Sequence, residues 1–394
     1  MSDSNALGAP AVMLLCDYSL RYLGGAQTAF LRQARSLAAQ GWKVLVVAPD
    51  ADVLTGEEAI AFAAPAVKWT FPVLGLPILG DRTRLQDDVA EMAGRHRVQA
   101  LIVHSEFTLA SVALGVGARL RLPVLHVVHT FFWRAPVALS VFARPIGWFH
   151  QWLTGIPPKV RYRGSTPVHN ALRGMTLRVA LRADEVLSPS AHQAQALRDA
   201  GVTHAQAFSN VAEPLQPTPL RADGPLTLVW AARFAAEKRL DVALDAVRLI
   251  TRRRGPGLVR LHVAGGAHRP QPDVTFHGRI PAARVGALVA ASDAVVISSV
   301  GFDNQPMIAL EAFSRGRPAV VVDPVLAGEF GPAAIGTATP DAEGLAAALE
   351  HLVDDRAALA AASAAALEYA RERQPGPLAE RLRALIADAA AHRP

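Results

Sequence analysis

The strongest constraint on this chain is an alternation of apolar runs with helical spacing that stops at a proline-rich segment and then starts again. The interruption, 213–225, holds four prolines and no periodicity, so it reads as an extended linker. Such alternation is typical of parallel sheets covered by helices on both faces. The sequence therefore predicts strands at 12–16, 43–48, 100–103, 124–128 and 185–188 before the interruption, and at 226–232, 259–264, 274–277, 294–298 and 318–322 after it.

The same pattern predicts an α/β chain of two doubly wound, Rossmann-like domains. At 394 residues the chain is too long for one comfortable core. We expect a first domain over 1–213, a linker over 214–225 and a second domain over 226–375. The alanine-rich tail 341–392 predicts helices interrupted at 374–377, and the final helix, 376–394, is expected to pack back on the first domain.

Composition limits the cellular compartment in which this protein is expected to function. Hydrophobic residues make up 51% of it, and Cys16 is its one cysteine, so an intrachain disulfide is excluded and a reducing compartment is favoured. The first residues lack the basic and apolar regions of a signal peptide, and no charge-free apolar stretch is long enough to span a bilayer. We expect a cytoplasmic protein.

Positive charge is concentrated in one aromatic stretch. The whole chain carries +6, yet 107–183 has no Asp or Glu and ten Lys or Arg residues. Within it, 131–163 holds seven Phe or Trp residues, a combination suited to an anionic membrane surface. A pair of buried aromatic helices with solvated arginines is the other interpretation, and both stay open. No nucleic-acid-binding signature accompanies the charge, so nucleic acid is not an expected partner.

The second half carries the clearest candidate site. Arg233 and Lys238 follow a predicted strand, where open α/β sheets bind ligands, and two cations there suit a diphosphate. A solvated basic turn is the simpler interpretation of that pair alone. Asp303 precedes a predicted helix over 306–314 that Pro306 begins, and Glu311 lies eight residues after Asp303.

Together these residues resemble the nucleotide-sugar site of retaining glycosyltransferases of family 4, which have the GT-B fold. The resemblance implies two Rossmann-like domains facing a central cleft. It also implies transfer of a hexose-type sugar, with retention, from a nucleotide sugar such as a UDP- or GDP-sugar to an acceptor hydroxyl. It is carried in order by Gly24-Gly25, His129, Leu187-Ser188-Pro189-Ser190, Asn210-Val211, Arg233 with Lys238, Thr275-Phe276-His277-Gly278-Arg279, Asp303 with Glu311, and 312–320.

The resemblance implies a role for each matching residue. Arg233 and Lys238 would bind the donor diphosphate and stabilise it as it leaves, and Glu311 would hold the ribose hydroxyls. Asp303 stands where the family usually has glutamate, so contact with the sugar hydroxyls would be made from one methylene further away. The other implied positions are Asn304, Gln305, Pro306 and Met307, offering backbone N–H groups to sugar and phosphate, Gly24 and Gly25 lining the phosphates, His129 near the reacting carbon, and Gly278 and Arg279 beside the nucleobase.

No divalent metal is required if Arg233 and Lys238 offset the phosphate charge. The pattern Asp50-Ala51-Asp52 resembles a metal-binding motif of another glycosyltransferase fold, but its place after a strand favours a surface turn. His126 and His129 lie three apart in a predicted strand and should point to opposite faces, against a shared metal.

The acceptor is expected to be a lipid-linked or cell-envelope glycan, reached through 131–163; the alternative is a soluble acidic acceptor held by the arginines. A nucleotide-sugar epimerase of the same architecture is the alternative enzyme, and a two-domain binding protein is the alternative without catalysis.

Overall fold

The computed structural model describes residues 9–21, 24–71, 76–132, 137–157, 166–221 and 223–392. The chain divides into two compact units. The first comprises Met1–Val211 together with Pro375–Pro394, and the second is Ala212–Gln374.

A seven-stranded parallel sheet forms the first unit, in the order β3-β2-β1-β6-β7-β8-β9. Chain order reverses at β1, which pairs with β2 on one side and with β6 on the other. The carboxyl ends of β1 and β6 therefore bound a switch point, where such sheets bind ligands. The strands are β1 Ala11–Leu15, β2 Lys43–Val47, β3 Ile60–Ala63, β6 Ala100–Val103, β7 Val124–Val127, β8 Glu185–Ser188 and β9 Ala205–Ala207.

Apolar side chains cover both faces of this sheet. One core joins β1 and β2 to α1 and α13, and the other joins β1 and β6 to α2 and α3. Because α13 supplies Leu378, Leu382 and Ile386 to the first core, it is part of this unit. The helices are α1 Gly25–Ala39, α2 Arg82–Arg95, α3 Thr108–Leu120, α4 Ala143–Thr154, α5 Pro167–Ala180, α6 Ala191–Asp199 and α13 Pro375–Ala391.

An antiparallel hairpin, β4 Val67–Phe71 with β5 Leu76–Leu79, accompanies the large sheet. Leu76 and Ile78 of β5 are buried beside Leu153 of α4, while most of β4 is exposed. A short 3₁₀ helix, Val137–Phe142, leads into α4.

The second unit repeats the design with a six-stranded parallel sheet in the order β12-β11-β10-β13-β14-β15. Here chain order reverses at β10, between β11 and β13. Its strands are β10 Leu226–Ala231, β11 Val259–Ala264, β12 Val274–Phe276, β13 Ala294–Ile297, β14 Ala319–Val321 and β15 Ala334–Gly336. Its helices are α7 Leu240–Arg254, α8 Ala282–Ala290, α9 Met307–Phe313, α10 Pro324–Phe330, α11 Ala342–Asp354 and α12 Arg356–Arg371.

The predicted strands are present, with boundaries shifted by a residue or two. One shift corrects an inference: β7 ends at Val127, so His129 follows the strand and the opposite-faces argument does not apply to it. The tail also has an unpredicted break at Asp355, whose carboxylate caps α12 by accepting from Ala357 N. Pro306 precedes α9 as its N-cap instead of being its first helical residue.

Candidate active site

The sequence-predicted cations lie at the switch point of the second sheet. Because β10 and β13 are parallel neighbours, the loops that follow them meet at the same edge. The first loop carries Arg233 and Lys238, and the second carries Asp303. Residues from both loops line one pocket with Pro306 and Ile308.

Lys238 and Asp303 form the central contact. Nζ of Lys238 donates to Oδ1 of Asp303 at 2.6 Å, and the two side chains are 18% and 12% exposed. Ser299 Oγ donates to the other carboxylate oxygen at 2.5 Å. The ammonium also lies 5.0 Å from the centre of the Phe302 ring. An ion pair with both partners mostly out of water fixes a positive charge at the strand ends.

The loop that bears Lys238 is held by hydrogen bonds that involve β10 and the residue after β13. Trp230 Nε1 donates to Ser298 Oγ at 2.9 Å, and that hydroxyl donates to the Lys238 carbonyl at 2.8 Å. Trp230 is buried in β10, and Ser298 is the first residue after β13. The backbone of the cation loop is thus tied to both strands that flank the switch point.

Arg233 has a different environment. Its side chain is 74% exposed, and its guanidinium pairs with Glu237 Oε1 at 3.2 Å. It shares the loop with Lys238 but faces solvent, where a ligand phosphate can reach it by displacing one half-buried carboxylate.

Gly278 lies at the same edge, next to the end of β11. Its carbonyl accepts from Gly265 N at 2.8 Å, and its φ of +70° favours glycine. Gly265 has φ +134°, and a Cβ there would clash with the Ala232 carbonyl of the cation loop. Because Gly265 contacts this loop and donates to Gly278, Gly278 also lies near the loop. Arg279 follows it as an exposed residue.

The residues just before α9 and at its start are mostly buried. Asn304, Gln305 and Met307 are buried, and Gln305 Nε2 donates to Tyr369 Oη at 3.1 Å. Pro306 has no N–H, so the prediction of a backbone donor at that position is wrong. Glu311 is half-buried one turn into the helix, and its carbonyl accepts from Arg315.

In the first unit, His129 belongs to a histidine pair that the sequence did not reveal. His104 follows β6 and His129 follows β7, and these strands are parallel neighbours. His104 Nδ1 lies 2.9 Å from His129 Nε2, and His104 Nε2 lies 2.7 Å from Gln33 Oε1. Since the amide oxygen accepts, Nε2 of His104 carries the proton and Nδ1 accepts from His129 Nε2.

Burial keeps these imidazoles neutral. It lowers the pKa of His129 to about 4, and it lowers the pKa of His104 well below its ordinary value, with a further effect from the neighbouring His129. A neutral His129 with Nε2 protonated presents Nδ1 as its basic nitrogen.

Two buried carboxyls lie at the β1–β6 switch point nearby. Asp17 accepts from Ser105 Oγ at 2.7 Å and from Leu109 N at 2.8 Å. Burial nevertheless raises the pKa of Asp17 to about 6 and that of Glu106 to about 8, the latter with a contribution from Asp17. Glu106 is therefore mostly protonated at neutral pH.

The glycine pair precedes and begins α1. Gly24 is the N-cap with extended backbone, and neither Gly24 nor Gly25 has a positive φ, so the backbone conformation here is one that other residues can also adopt. A Cβ on Gly25 would meet no described atom within 4 Å, which leaves open space over its backbone.

In the Asp50-Ala51-Asp52 stretch, Asp50 is the N-cap of the 3₁₀ helix Ala51–Leu54, Ala51 is buried and Asp52 is exposed. Ser19 Oγ donates to Asp50, and Arg21 pairs with Asp50 at 3.4 Å and with Asp52 at 2.9 Å. Within the described ranges, no three His, Cys, Asp or Glu side chains are grouped to hold a metal ion.

Comparison with known proteins agrees with this geometry. The family model described as Glycosyltransferase Family 4 matches residues 23–210, and the one described as Glycosyl transferases group 1 matches residues 225–355. The chain is a family 4-like glycosyltransferase. No curated protein matches this glycosyltransferase in sequence.

Solved structures share its fold at low identity. HepE of Anabaena, solved in complex with UDP and glucose, is 15% identical, with a TM-score of 0.66 over 96% of this chain and 99% of HepE. Sucrose-phosphate synthase of Thermosynechococcus elongatus is 17% identical, with a TM-score of 0.65 over 97% and 99%. A glycosyltransferase of Rickettsia africae is 11% identical, with a TM-score of 0.66 over 98% and 100%. The glycosyltransferase has the GT-B fold of two Rossmann-like domains.

Proposed function

We propose that this glycosyltransferase moves a hexose-type sugar from a UDP- or GDP-sugar to a hydroxyl of a lipid-linked or cell-envelope glycan, with retention at the anomeric carbon. The observation that carries the proposal is the Lys238–Asp303 ion pair at the β10–β13 switch point. The HepE structures with UDP and with UDP-glucose favour a uridine donor.

The pair supplies what a nucleotide-sugar diphosphate needs. A diphosphate oxygen that approaches the Lys238 ammonium competes with Asp303 for it, because the two anions share one cation. Asp303 is then free to accept from sugar hydroxyls, while Ser299 still donates to its other oxygen. Arg233, exposed on the same loop, closes on the phosphates from the solvent side.

In the proposed reaction, the bond between the anomeric carbon and the β-phosphate oxygen breaks as the acceptor hydroxyl bonds to the same face of that carbon. The acceptor proton passes to the departing phosphate oxygen, so the products are the glycoside and a nucleoside diphosphate. Lys238 and Arg233 offset the charge that develops on the leaving group. His129 lies near the reacting carbon in this proposal, and its role comes from the family resemblance.

We propose that the two cations perform this without a divalent metal. A fixed ammonium and an exposed guanidinium supply two positive charges at the diphosphate, the charge that a bound magnesium ion supplies elsewhere. Turnover that persists in excess EDTA supports this part of the proposal. Loss of turnover in EDTA, restored by Mg²⁺ or Mn²⁺, contradicts it.

The donor is identified first by thermal stabilisation of the intact protein with a panel of nucleotide sugars, since a ligand that binds the native state raises the melting temperature. Proton NMR of the product then gives the anomeric configuration. Retention with a UDP- or GDP-hexose is the expected result, and an inverted product overturns the stereochemical proposal. Conversion of the donor to an epimer without acceptor would instead indicate the epimerase reaction.

A lipid-linked acceptor requires the enzyme to work at a membrane surface, and we propose the cytoplasmic face. None of the helices among the described residues is both long and apolar enough to cross a bilayer.

A further inference from the structure

A group of large apolar side chains lies exposed on the first unit. The 3₁₀ segment and α4 expose Val141 at 76%, Trp148 at 69% and Trp152 at 58%. Trp69 of the β4–β5 hairpin is also exposed. We call this surface the aromatic face; its members are Trp69, Val137, Val141, Phe142, Trp148 and Trp152. Several large apolar side chains exposed on one surface indicate an interaction site.

The position of α4 keeps the two tryptophans outward. His150, Leu153 and Thr154 form its buried side, and the His150 ring bonds to the Glu106 carbonyl at 2.7 Å. Trp148 and Trp152 lie four residues apart on the opposite side, as helical geometry requires. Rotating the helix to bury them would expose His150 and break that contact.

Ring contacts join the hairpin to the helix. Trp69 lies 5.9 Å from Phe71, Phe71 lies 5.7 Å from Phe149, and Phe149 stacks on Trp152 at 5.9 Å. Two segments far apart in sequence thus form one continuous aromatic surface. The sequence predicts such a surface over 131–163, and the structure gives it different members.

Phe131 is not part of it, because its ring is buried in the core beside Leu177 and Val186. Phe132 is half-buried and stacks on His192. Trp133, Arg134, Lys159, Arg161 and Arg163 lie outside the described residues.

Charge selects the partner. Arg144 is exposed on α4 one turn before Trp148, Lys68 is an exposed cation of the hairpin strand that carries Trp69, and no acidic residue occurs between positions 107 and 183. Aromatic rings bordered by cations, with no acidic side chain on their own segment, match the headgroup region of a bilayer that contains anionic lipid.

We propose that the aromatic face docks this protein on the surface of a bilayer containing anionic phospholipid, with Trp148 and Trp152 at headgroup depth. The docking deepens the proposed function, because it names the surface that presents a lipid-linked acceptor. Its test measures membrane binding without sugar transfer. A failure of docking therefore leaves the transferase proposal standing, and a failure of sugar transfer leaves the docking proposal standing.

The test is cosedimentation of the full-length protein with phosphatidylcholine vesicles, with and without phosphatidylglycerol, at low and high salt. We expect binding to the phosphatidylglycerol vesicles that weakens with salt. The double variant Trp148→Ala, Trp152→Ala should bind about tenfold more weakly or worse, since each ring removes a large apolar area from water on docking. Arg144→Glu should weaken binding by about tenfold, because one cation becomes an anion.

Matched controls come from exposed residues of the second unit. Arg260→Glu on β11 reverses an exposed arginine and Val325→Ala on α10 truncates an exposed apolar side chain, neither of which belongs to the aromatic face, and both variants should bind as the unaltered protein does. Melting temperatures show whether each variant is folded.

Four results would overturn the proposal: no sedimentation with phosphatidylglycerol vesicles, equal binding to phosphatidylcholine alone, equal losses for Arg144→Glu and Arg260→Glu, or a dimer that the double tryptophan variant converts to monomer. The last would mean that a second copy of the chain covers the aromatic face.

Discussion

Removal of the Lys238 ammonium should lower turnover far more than it lowers stability. Its Nζ lies 2.6 Å from Asp303 Oδ1 in surroundings that leave the two side chains 18% and 12% exposed. At an effective dielectric constant near 20, opposite unit charges about 4 Å apart attract by about 4 kcal/mol. Loss of one preorganised charge stabiliser costs about 2.7–4 kcal/mol in the transition state. We therefore expect Lys238→Ala to lower turnover by about 10²–10³-fold.

The same substitution leaves Ser299 as the hydrogen-bond donor to the Asp303 carboxylate. A mostly buried carboxylate that has lost one of its partners costs about 1–3 kcal/mol of folding free energy. Lys238→Ala with Asp303→Asn should recover most of that cost, because no unpaired charge remains, while turnover stays at or below that of Lys238→Ala. Steady-state kinetics with the donor found by thermal stabilisation and urea unfolding measure the two quantities.

Lys43→Ala is the control, since Lys43 is an exposed lysine at the start of β2. Its turnover and stability should match those of the unaltered enzyme. Ordinary turnover in Lys238→Ala would remove the lysine from the donor site. Recovery of turnover in the double variant would show that the lysine serves to neutralise Asp303 and does not act on the leaving group.

Further substitutions test the other residues. Glu311→Gln should weaken nucleoside diphosphate binding by about tenfold through loss of a charged acceptor for the ribose hydroxyls, measured by calorimetry; unchanged affinity would place Glu311 outside the site. Asp303→Glu should reorder the ranking of sugar donors while nucleotide affinity holds, and an identical ranking would show that residue 303 does not touch the sugar. His104→Ala should lower kcat by about tenfold and leave the donor KM unchanged, with partial rescue in His104→Asn, because His104 positions the His129 ring through one hydrogen bond; equal changes in both variants and in KM would indicate a merely structural role. Glu106 has a pKa raised by burial to about 8, so between pH 6.5 and 8 the folded state holds a proton that the unfolded state has lost. Stability of the first unit should fall with rising pH there by up to about 1.4 kcal/mol per pH unit, and Glu106→Gln should abolish the slope. Hydrogen exchange of β1 and β6 measures it, and an unchanged slope in Glu106→Gln would contradict the assignment.

The sheets were predictable because many of their strands are apolar runs. The run 100–103 matches β6 residue for residue, since a buried parallel strand leaves an uninterrupted apolar signal. The hairpin was missed although Val67, Trp69 and Phe71 alternate with Lys68 and Thr70, which is the period-two signal of a strand.

Side-chain partners were less predictable than elements. Arg233, Lys238 and Asp303 could be placed at strand ends from local sequence, but the 2.6 Å contact depends on β10 and β13 being neighbours. His104 gave no local signal, because its partner His129 becomes close only through the pairing of β6 with β7.

The aromatic residues show the same limit. Phe131 and Trp148 belong to one basic aromatic stretch, yet one ring fills a core and the other faces solvent. Composition describes the stretch as a whole, whereas burial is decided residue by residue through packing against α5, β8 and the hairpin.

The place of α13 bears on how the protein is made. Leu378, Leu382 and Ile386 complete the core formed by β1, β2 and α1, yet they follow the whole second unit in the chain. During synthesis the ribosome therefore releases all of Ala212–Gln374 before the first unit can close its core, while the second unit holds a core of its own residues. The earlier-made half of the nascent chain therefore completes its core last, and until α13 emerges the part of α1 that packs on it lacks that cover.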